Sequence, residues 1–298
     1  MWPQYILQIQ QGDTKALARS ISLVENEVNG YENLMKMLPA STTPVIGITG
    51  PPGAGKSTLV DALISLLVSK EKKVGVLCVD PSSPFNLGAL LGDRIRMSEW
   101  YNHPDVFIRS LATRGSLGGL HPKIIEISDL LKAAPFDYII VETVGVGQSE
   151  IEIAGLADIS IVTVVPEAGD EIQTMKAGLM EIADIFVVNK SDRPDADLFV
   201  KNLKMMLAPA FNTKQQTIPV IKTVASQKKG IEELLTAIEE CINGEQGTRN
   251  HKRSWLLAEK AYHLIQQKRM ANINKEALKL SIEAAGNNFN LYQFIGQF

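Results

Sequence analysis

GPPGAGKS, Gly50 to Ser57, is the stretch that decides the fold of this chain. It fits the pattern G-x-x-x-x-G-K-S/T, and its surroundings make the match specific: the apolar run VIGIT (Val45 to Thr49) precedes it and the helical TLVDALISLLVSK follows. Glycines at positions 50, 53 and 55 let a backbone fold around phosphate with its N–H groups pointing inward, and the start of the following helix adds its positive end. Gly53, Ala54, Gly55, Lys56, Ser57 and Thr58 are therefore the candidate phosphate loop. Lys56 would reach the β and γ phosphates, and the Ser57 hydroxyl would ligate Mg²⁺. The plainer reading, a glycine-rich turn that binds nothing, conflicts with Lys56 itself, because a cation at a helix N-terminus is unfavourable unless an anion offsets it.

Working outward, strand-length apolar runs alternate with helical segments from Pro44 to about Ile242: VIGITG, VGVLCVD, VFIRS, DYIIVET, ISIVTVV, IFVVNK and IPVIKTV. Runs apolar on both faces and joined through helices imply an α/β fold, a P-loop NTPase with a mainly parallel sheet covered by helices on both sides. Residues 1–40 read as an N-terminal helical extension, with Leu17, Ile21 and Val24 on one stripe and Asp13 at the N-cap position. Residues 41–242 read as the P-loop domain. After the polar break NGEQGTRN, residues 243–298 read as a C-terminal helical arm in which Trp255, Leu256, Tyr262 and Ile265 recur at helical spacing. This stripe needs a partner: it either folds back on its own sheet or joins the N-terminal helices in a dimer, and the residues leave both open. The final NNFNLYQFIGQF is aromatic without clear periodicity.

Composition excludes several classes. A formal charge of −3 without a basic block gives no footprint for nucleic acid. No basic n-region with a long apolar run opens the chain, and no stretch has the roughly 18–20 apolar residues of a membrane span, so a cytoplasmic or matrix-like location is expected. The two cysteines, Cys78 and Cys241, form no CxxC pair and read as reduced structural thiols.

The nucleotide base is addressed by NKSD, Asn189 to Asp192, directly after the run IFVV. A carboxylate at Asp192 can accept from both the N1–H and the exocyclic amine of guanine, and adenine offers no such pair. At about 1.5–3 kcal/mol per charged hydrogen bond, GTP over ATP follows. The Lys190 stem would cover the base, and Asn189 would tie this loop to the phosphate loop. In TVAS, ending at Ser226, a backbone N–H from about Ala225 would meet the guanine O6. Mg²⁺ requires oxygen ligands, and three acids at strand ends or nearby are candidates beside Ser57: Asp80, Asp93 and Glu142. Gly145 and Gly147, after Glu142, would let the backbone approach or leave a γ-phosphate, as a switch does.

VDPSSPFNLGALLGDRIRM, GSLGGL, VETVGVGQSE and AGDEIQTMKAGLMEIADIFVVNKSD together resemble the MeaB/ArgK branch of P-loop GTPases, over most of residues 12–242. The resemblance implies a GTPase chaperone of adenosylcobalamin-dependent acyl-CoA mutases, methylmalonyl-CoA mutase above all, that gates cofactor loading and protects the mutase, typically as a homodimer. It places metal coordination on Ser57, Asp80, Asp93 and Glu142 and base recognition on Asn189, Lys190 and Asp192. The sequence departs from the family at Glu167, where glycine is common, and at Ala177, after Lys176, where a second lysine is common. Both departures fall in the loop thought to relay nucleotide state to the mutase. The C-terminal arm also reads as short for the family. Related GTPases that deliver nickel or zinc carry cysteine or histidine pairs, whereas His103, His121, His251 and His263 are scattered here, each read as a surface or packing residue.

The implied reaction is in-line attack of water on the γ-phosphate of GTP, giving GDP, with Lys56, Asp93 and Glu142 as catalytic candidates and Gln148 as a candidate for positioning the water. Two rival readings are a kinase acting on a small molecule or a transport protein, and a metal-delivery GTPase.

Overall fold

The computed structural model describes residues 2–80, 97–113, 120–143, 153–168, 180, 182–208, 218–244, 246–270, 272–286 and 289–298. In chain order the elements are α1 (Trp2–Gln10), α2 (Thr14–Glu25), α3 (Tyr31–Lys36), β1 (Val45–Thr49), α4 (Lys56–Ser69), β2 (Val74–Asp80), β3 (Val106–Ala112), α5 (Ile124–Ala133) and β4 (Tyr138–Glu142). There follow β5 (Ile159–Val164), β6 (Ile185–Val188), α6 (Ala196–Leu207), β7 (Val220–Lys222), α7 (Ile231–Asn243), α8 (Gln246–Met270), α9 (Lys275–Ala285) and α10 (Leu291–Ile295). The seven strands form one sheet in the order β3-β2-β4-β1-β5-β6-β7, and every neighbouring pair is parallel. Each of the seven expected runs contributes a strand; the last shrinks to three residues.

Strand β1 sits at the centre, buried along its whole length. Both faces of the sheet are covered, which is why its strands are apolar without alternation. On one face Ile46, Ile48, Val76, Cys78 and Ile140 pack with Leu59, Leu63 and Leu67 of α4 and Leu234, Leu235 and Ile238 of α7. On the other, Val45, Leu77, Val79, Ile139 and Val141 pack with Ile127 and Leu131 of α5 and with Ile9, Leu17, Ile21, Val24 and Leu34 of the N-terminal helices. Toward β6, Phe186 and Val188 meet Phe199 and Leu203 of α6.

Charged groups fasten the N-terminal helices as well. Glu25, at the end of α2, forms an ion pair with Arg109 of β3, and Arg109 also donates to the Ser22 hydroxyl at 3.3 Å. Lys123 reaches Glu27 at 2.7 Å, Glu126 at 3.4 Å and the Tyr31 hydroxyl at 2.9 Å. Burial opposes the charge on Lys123, but its hydrogen bonds to Glu27 and Tyr31 and the nearby Glu126 hold the ammonium above the usual lysine range. His121 is buried, its Nδ1 accepting from the Lys123 amide at 3.0 Å, a packing role. Cys78 is buried and Cys241 exposed, and they are not joined in a disulfide.

The chain forms two compact units, Met1–Arg253 and Ser254–Phe298. In the second, the aromatic tail acquires order: Asn290 caps α10 by accepting from the amides of Tyr292 and Gln293, and Phe294 lies with its ring centroid 5.4 Å from those of Phe289 and Phe298. Trp255, Tyr262 and Ile265 stay 51%, 62% and 51% exposed. No helix among the described residues is long and apolar enough to cross a membrane.

Asp13 caps α2 as its position implies, its Oδ1 accepting from the amides of Lys15 and Ala16 at 2.9 and 3.0 Å. Asp13→Ala should lower stability by about 1 kcal/mol, read in urea as a lower midpoint with an unchanged slope.

Candidate functional site

The phosphate loop connects β1 to α4, and Gly50, Gly53 and Gly55 all take positive φ within it. Gly55 precedes the helix with a left-handed φ of 85°, and a Cβ there would lie 2.4 Å from Asn189 Nδ2, so the loop passes directly against that side chain. At Gly53, φ 77°, a Cβ would meet nothing within 4 Å: the backbone borders open space. Ala54 is buried between them. Lys56 and Ser57 occupy the first turn of α4, both buried, and Thr58 follows, half-buried. The Lys56 ammonium donates to the carbonyls of Gly50 and Pro51 at 2.9 and 3.1 Å.

Strand register brings two of the three candidate acids together. Glu142 is aligned with Ile48 of β1 and Cys78 of β2, and Asp80 lies two residues past Cys78, so all four share the face covered by α4. Asp80 is 7% exposed and Glu142 5%. The Ser57 hydroxyl donates to Glu142 Oε1 at 2.7 Å. A hydroxyl that gives its hydrogen to a carboxylate turns its lone pairs elsewhere, the orientation needed to ligate a cation. Two carboxylates and a hydroxyl are all-oxygen donors, the set that Mg²⁺ prefers, and burying two acids on one face of the sheet is costly unless positive charge offsets them. The residues present therefore fit Mg²⁺. Next to them Thr143 donates to the Thr49 hydroxyl at 2.9 Å, joining the ends of β4 and β1. Asp93, Gly145, Gly147, Gln148, Lys176 and Ala177 lie outside the described residues.

Asn189 joins the two loops as its position implies, through more contacts than the sequence suggested. Its amide continues the sheet by donating to Val164 O at 2.8 Å. Its side-chain Nδ2 donates to Ala54 O at 2.9 Å, while Oδ1 accepts from the Thr223 hydroxyl and the Ala225 amide, both at 3.1 Å. Lys190, in a left-handed conformation with φ 55°, extends over the phosphate loop and donates to Gly53 O at 2.8 Å. Asp192 is exposed, and its carboxylate accepts no hydrogen bond from the described residues.

The Ala225 amide, the candidate donor to the guanine O6, donates to Asn189 Oδ1 in this structure, and Ala225 is 4% exposed. The reason is local: a buried carboxamide oxygen needs donors, and this amide and the Thr223 hydroxyl supply them. Ala225 is thus a brace for Asn189. Thr223, 1% exposed, is a further member of this junction, and its one sequence signal is a threonine opening TVAS at the strand end. The ion pair between Glu167 and Arg193 had none. The hydrogen bond from Arg193 holds Glu167 below the usual carboxylate range.

The sequence profile of the family described as methylmalonyl-CoA mutase-associated GTPase MeaB matches residues 17–277. The chain belongs to the MeaB family. A Pyrococcus abyssi protein whose name assigns it as a GTPase is 49% identical to this MeaB homologue over 245 residues, covering 80% of this chain and 76% of the relative. A fused isobutyryl-CoA mutase of Geobacillus kaustophilus is 37% identical over 258 residues, 81% of this chain but 24% of that protein. Among solved structures, a LAO/AO transport system kinase superposes with a TM-score of 0.68 at 28% identity, covering 99% of this chain and 95% of that one. The MeaB chain is thus a P-loop GTPase that handles guanine nucleotide.

Asn189→Ala would remove one donor and one acceptor from a buried junction and leave Ala54 O, the Thr223 hydroxyl and the Ala225 amide short of partners. A loss of about 2–4 kcal/mol is expected, measurable by denaturant unfolding, together with weakened binding of a fluorescent GDP analogue.

Proposed function

We propose that this MeaB family GTPase is a chaperone of an adenosylcobalamin-dependent acyl-CoA mutase, such as methylmalonyl-CoA mutase, gating cofactor loading and protecting the mutase through its GTP cycle. The observation that supports the nucleotide half is the Asn189 junction, which ties the segment carrying Asp192 to the phosphate loop. The mutase half is supported by the family's description and by a relative in which matching sequence is part of a fused isobutyryl-CoA mutase. A homodimer fits the exposed Trp255, Tyr262 and Ile265, and we place the protein in the cytoplasm.

In this reading the amides of Gly53 to Thr58 and the Lys56 ammonium bind the phosphates, Lys56 exchanging its carbonyl contacts for phosphate oxygens of GTP. Ser57, Asp80 and Glu142, with Asp93, would hold Mg²⁺. When bound, Mg²⁺ supplies positive charge against the β and γ oxygens. Lys56 stabilises the charge that builds up as water attacks, and the buried carboxylate of Glu142 keeps Ser57 oriented. Lys190 covers the base and Asp192 accepts from its N1–H and amine.

Similarity to a protein named as a transport system kinase favours a second reading, transfer of the γ-phosphate to an acceptor. With γ-labelled GTP the label should appear as free phosphate, slowly for the isolated protein and faster by about 10³ at the least with the mutase present. Label on an acceptor would establish the kinase. Fast turnover that the mutase leaves unchanged would overturn the chaperone reading. Asp192→Asn should weaken GTP binding by two or more powers of ten and favour XTP, because a carboxamide presents a donor to the O2 that xanthine carries in place of the guanine amine. Competition binding with GTP and XTP measures this.

A further inference from the structure

Asp192 and Arg193 are consecutive in the chain, and both are exposed. A guanidinium one residue away can compete for an exposed carboxylate, since that planar fork matches a carboxylate with two parallel hydrogen bonds. Here the pairing does not occur. The Arg193 guanidinium is bound by Glu167, which lies 26 residues earlier in the short helical turn Pro166–Ala168 after β5. The turn itself is closed by the Arg193 amide donating to Lys190 O at 3.1 Å, while the Lys190 ammonium is directed to Gly53 O at 2.8 Å. Both cations that flank Asp192 are thus engaged elsewhere, one by a carboxylate and one by the phosphate loop.

We infer that Glu167 is a positioning residue for guanine recognition: by holding the Arg193 guanidinium it keeps that cation off the Asp192 carboxylate, which stays open to the base. The inference rests on the base-recognition reading of Asp192 and adds to it a residue that does not touch nucleotide. Without Glu167, Arg193 becomes an internal competitor, and guanine must displace it before its N1–H and amine can be accepted. The competing pair is exposed, so the effect is modest, on the order of two- to fivefold in affinity. It is electrostatic, and added salt weakens it.

The experiment is titration of the full chain with a fluorescent GDP analogue at low and high salt, on wild type, Glu167→Gln, Arg193→Gln and the double variant. Glu167→Gln should bind about two- to fivefold more weakly at low salt, with the deficit fading at about 0.5 M salt, where the Debye length falls below roughly 5 Å. Arg193→Gln alone should bind as wild type, and in the double variant loss of the arginine should restore the affinity. A merely structural tie between the two loops predicts a different pattern: both single variants weaken equally and the double variant is no better. That pattern, or an unchanged Glu167→Gln, overturns the inference. Equal affinity of the wild-type chain for the matching ADP analogue would instead overturn the guanine reading beneath it.

Discussion

The carboxamide of Asn189 is the junction on which the site depends. A single buried side chain donates to the phosphate loop through Ala54 O and accepts from the TVAS turn through Thr223 and Ala225. Hydrogen bonds in a dry interior are strong when complete and costly when broken. The distance between the region that would receive phosphate and the carboxylate that would receive the base is therefore held by a rigid junction. Gly55 completes the arrangement, because any larger residue would occupy the space of the Asn189 amide.

The sheet provides the platform for this junction. Parallel register along β1, β2 and β4 places Ile48, Cys78 and Glu142 in one row, and α4 covers that row with Leu59 and Leu63. The same helix begins with Lys56 and Ser57. Packing of its apolar face thus sets its polar end beside the strand termini. Core and site are held by one element, and neither position can shift without the other.

Most of the fold was legible because its signals are local. Strand-length apolar runs mark all seven strands, Asp13 announces the start of α2, and GPPGAGKS marks the junction of β1 and α4. Glu142 and Asp80 were legible as strand-end acids, and the register explains why they meet. What escaped notice depends on contacts between distant residues. Nothing near Ala225 shows that its amide is taken by Asn189, 36 residues earlier, and nothing near Arg193 points to Glu167. The order of residues 289–298 was hidden because Phe289, Phe294 and Phe298 meet at steep angles around a single short turn without making a periodic stripe.

The ends of the sheet differ in a way that bears on self-association through the backbone. Among the described residues β7 closes one side with only three residues, and its Lys222 is drawn onto Asp197 of α6 at 2.8 Å. A short border carrying an occupied charge offers an incoming chain little open ladder to extend. At the opposite border β3 is seven residues long, and Arg109 stands at its middle, bound to Glu25. The N-terminal helices therefore do more than bury an apolar face: they anchor a cation on the long border, where a charged side chain discourages the strand-by-strand growth that a bare edge invites.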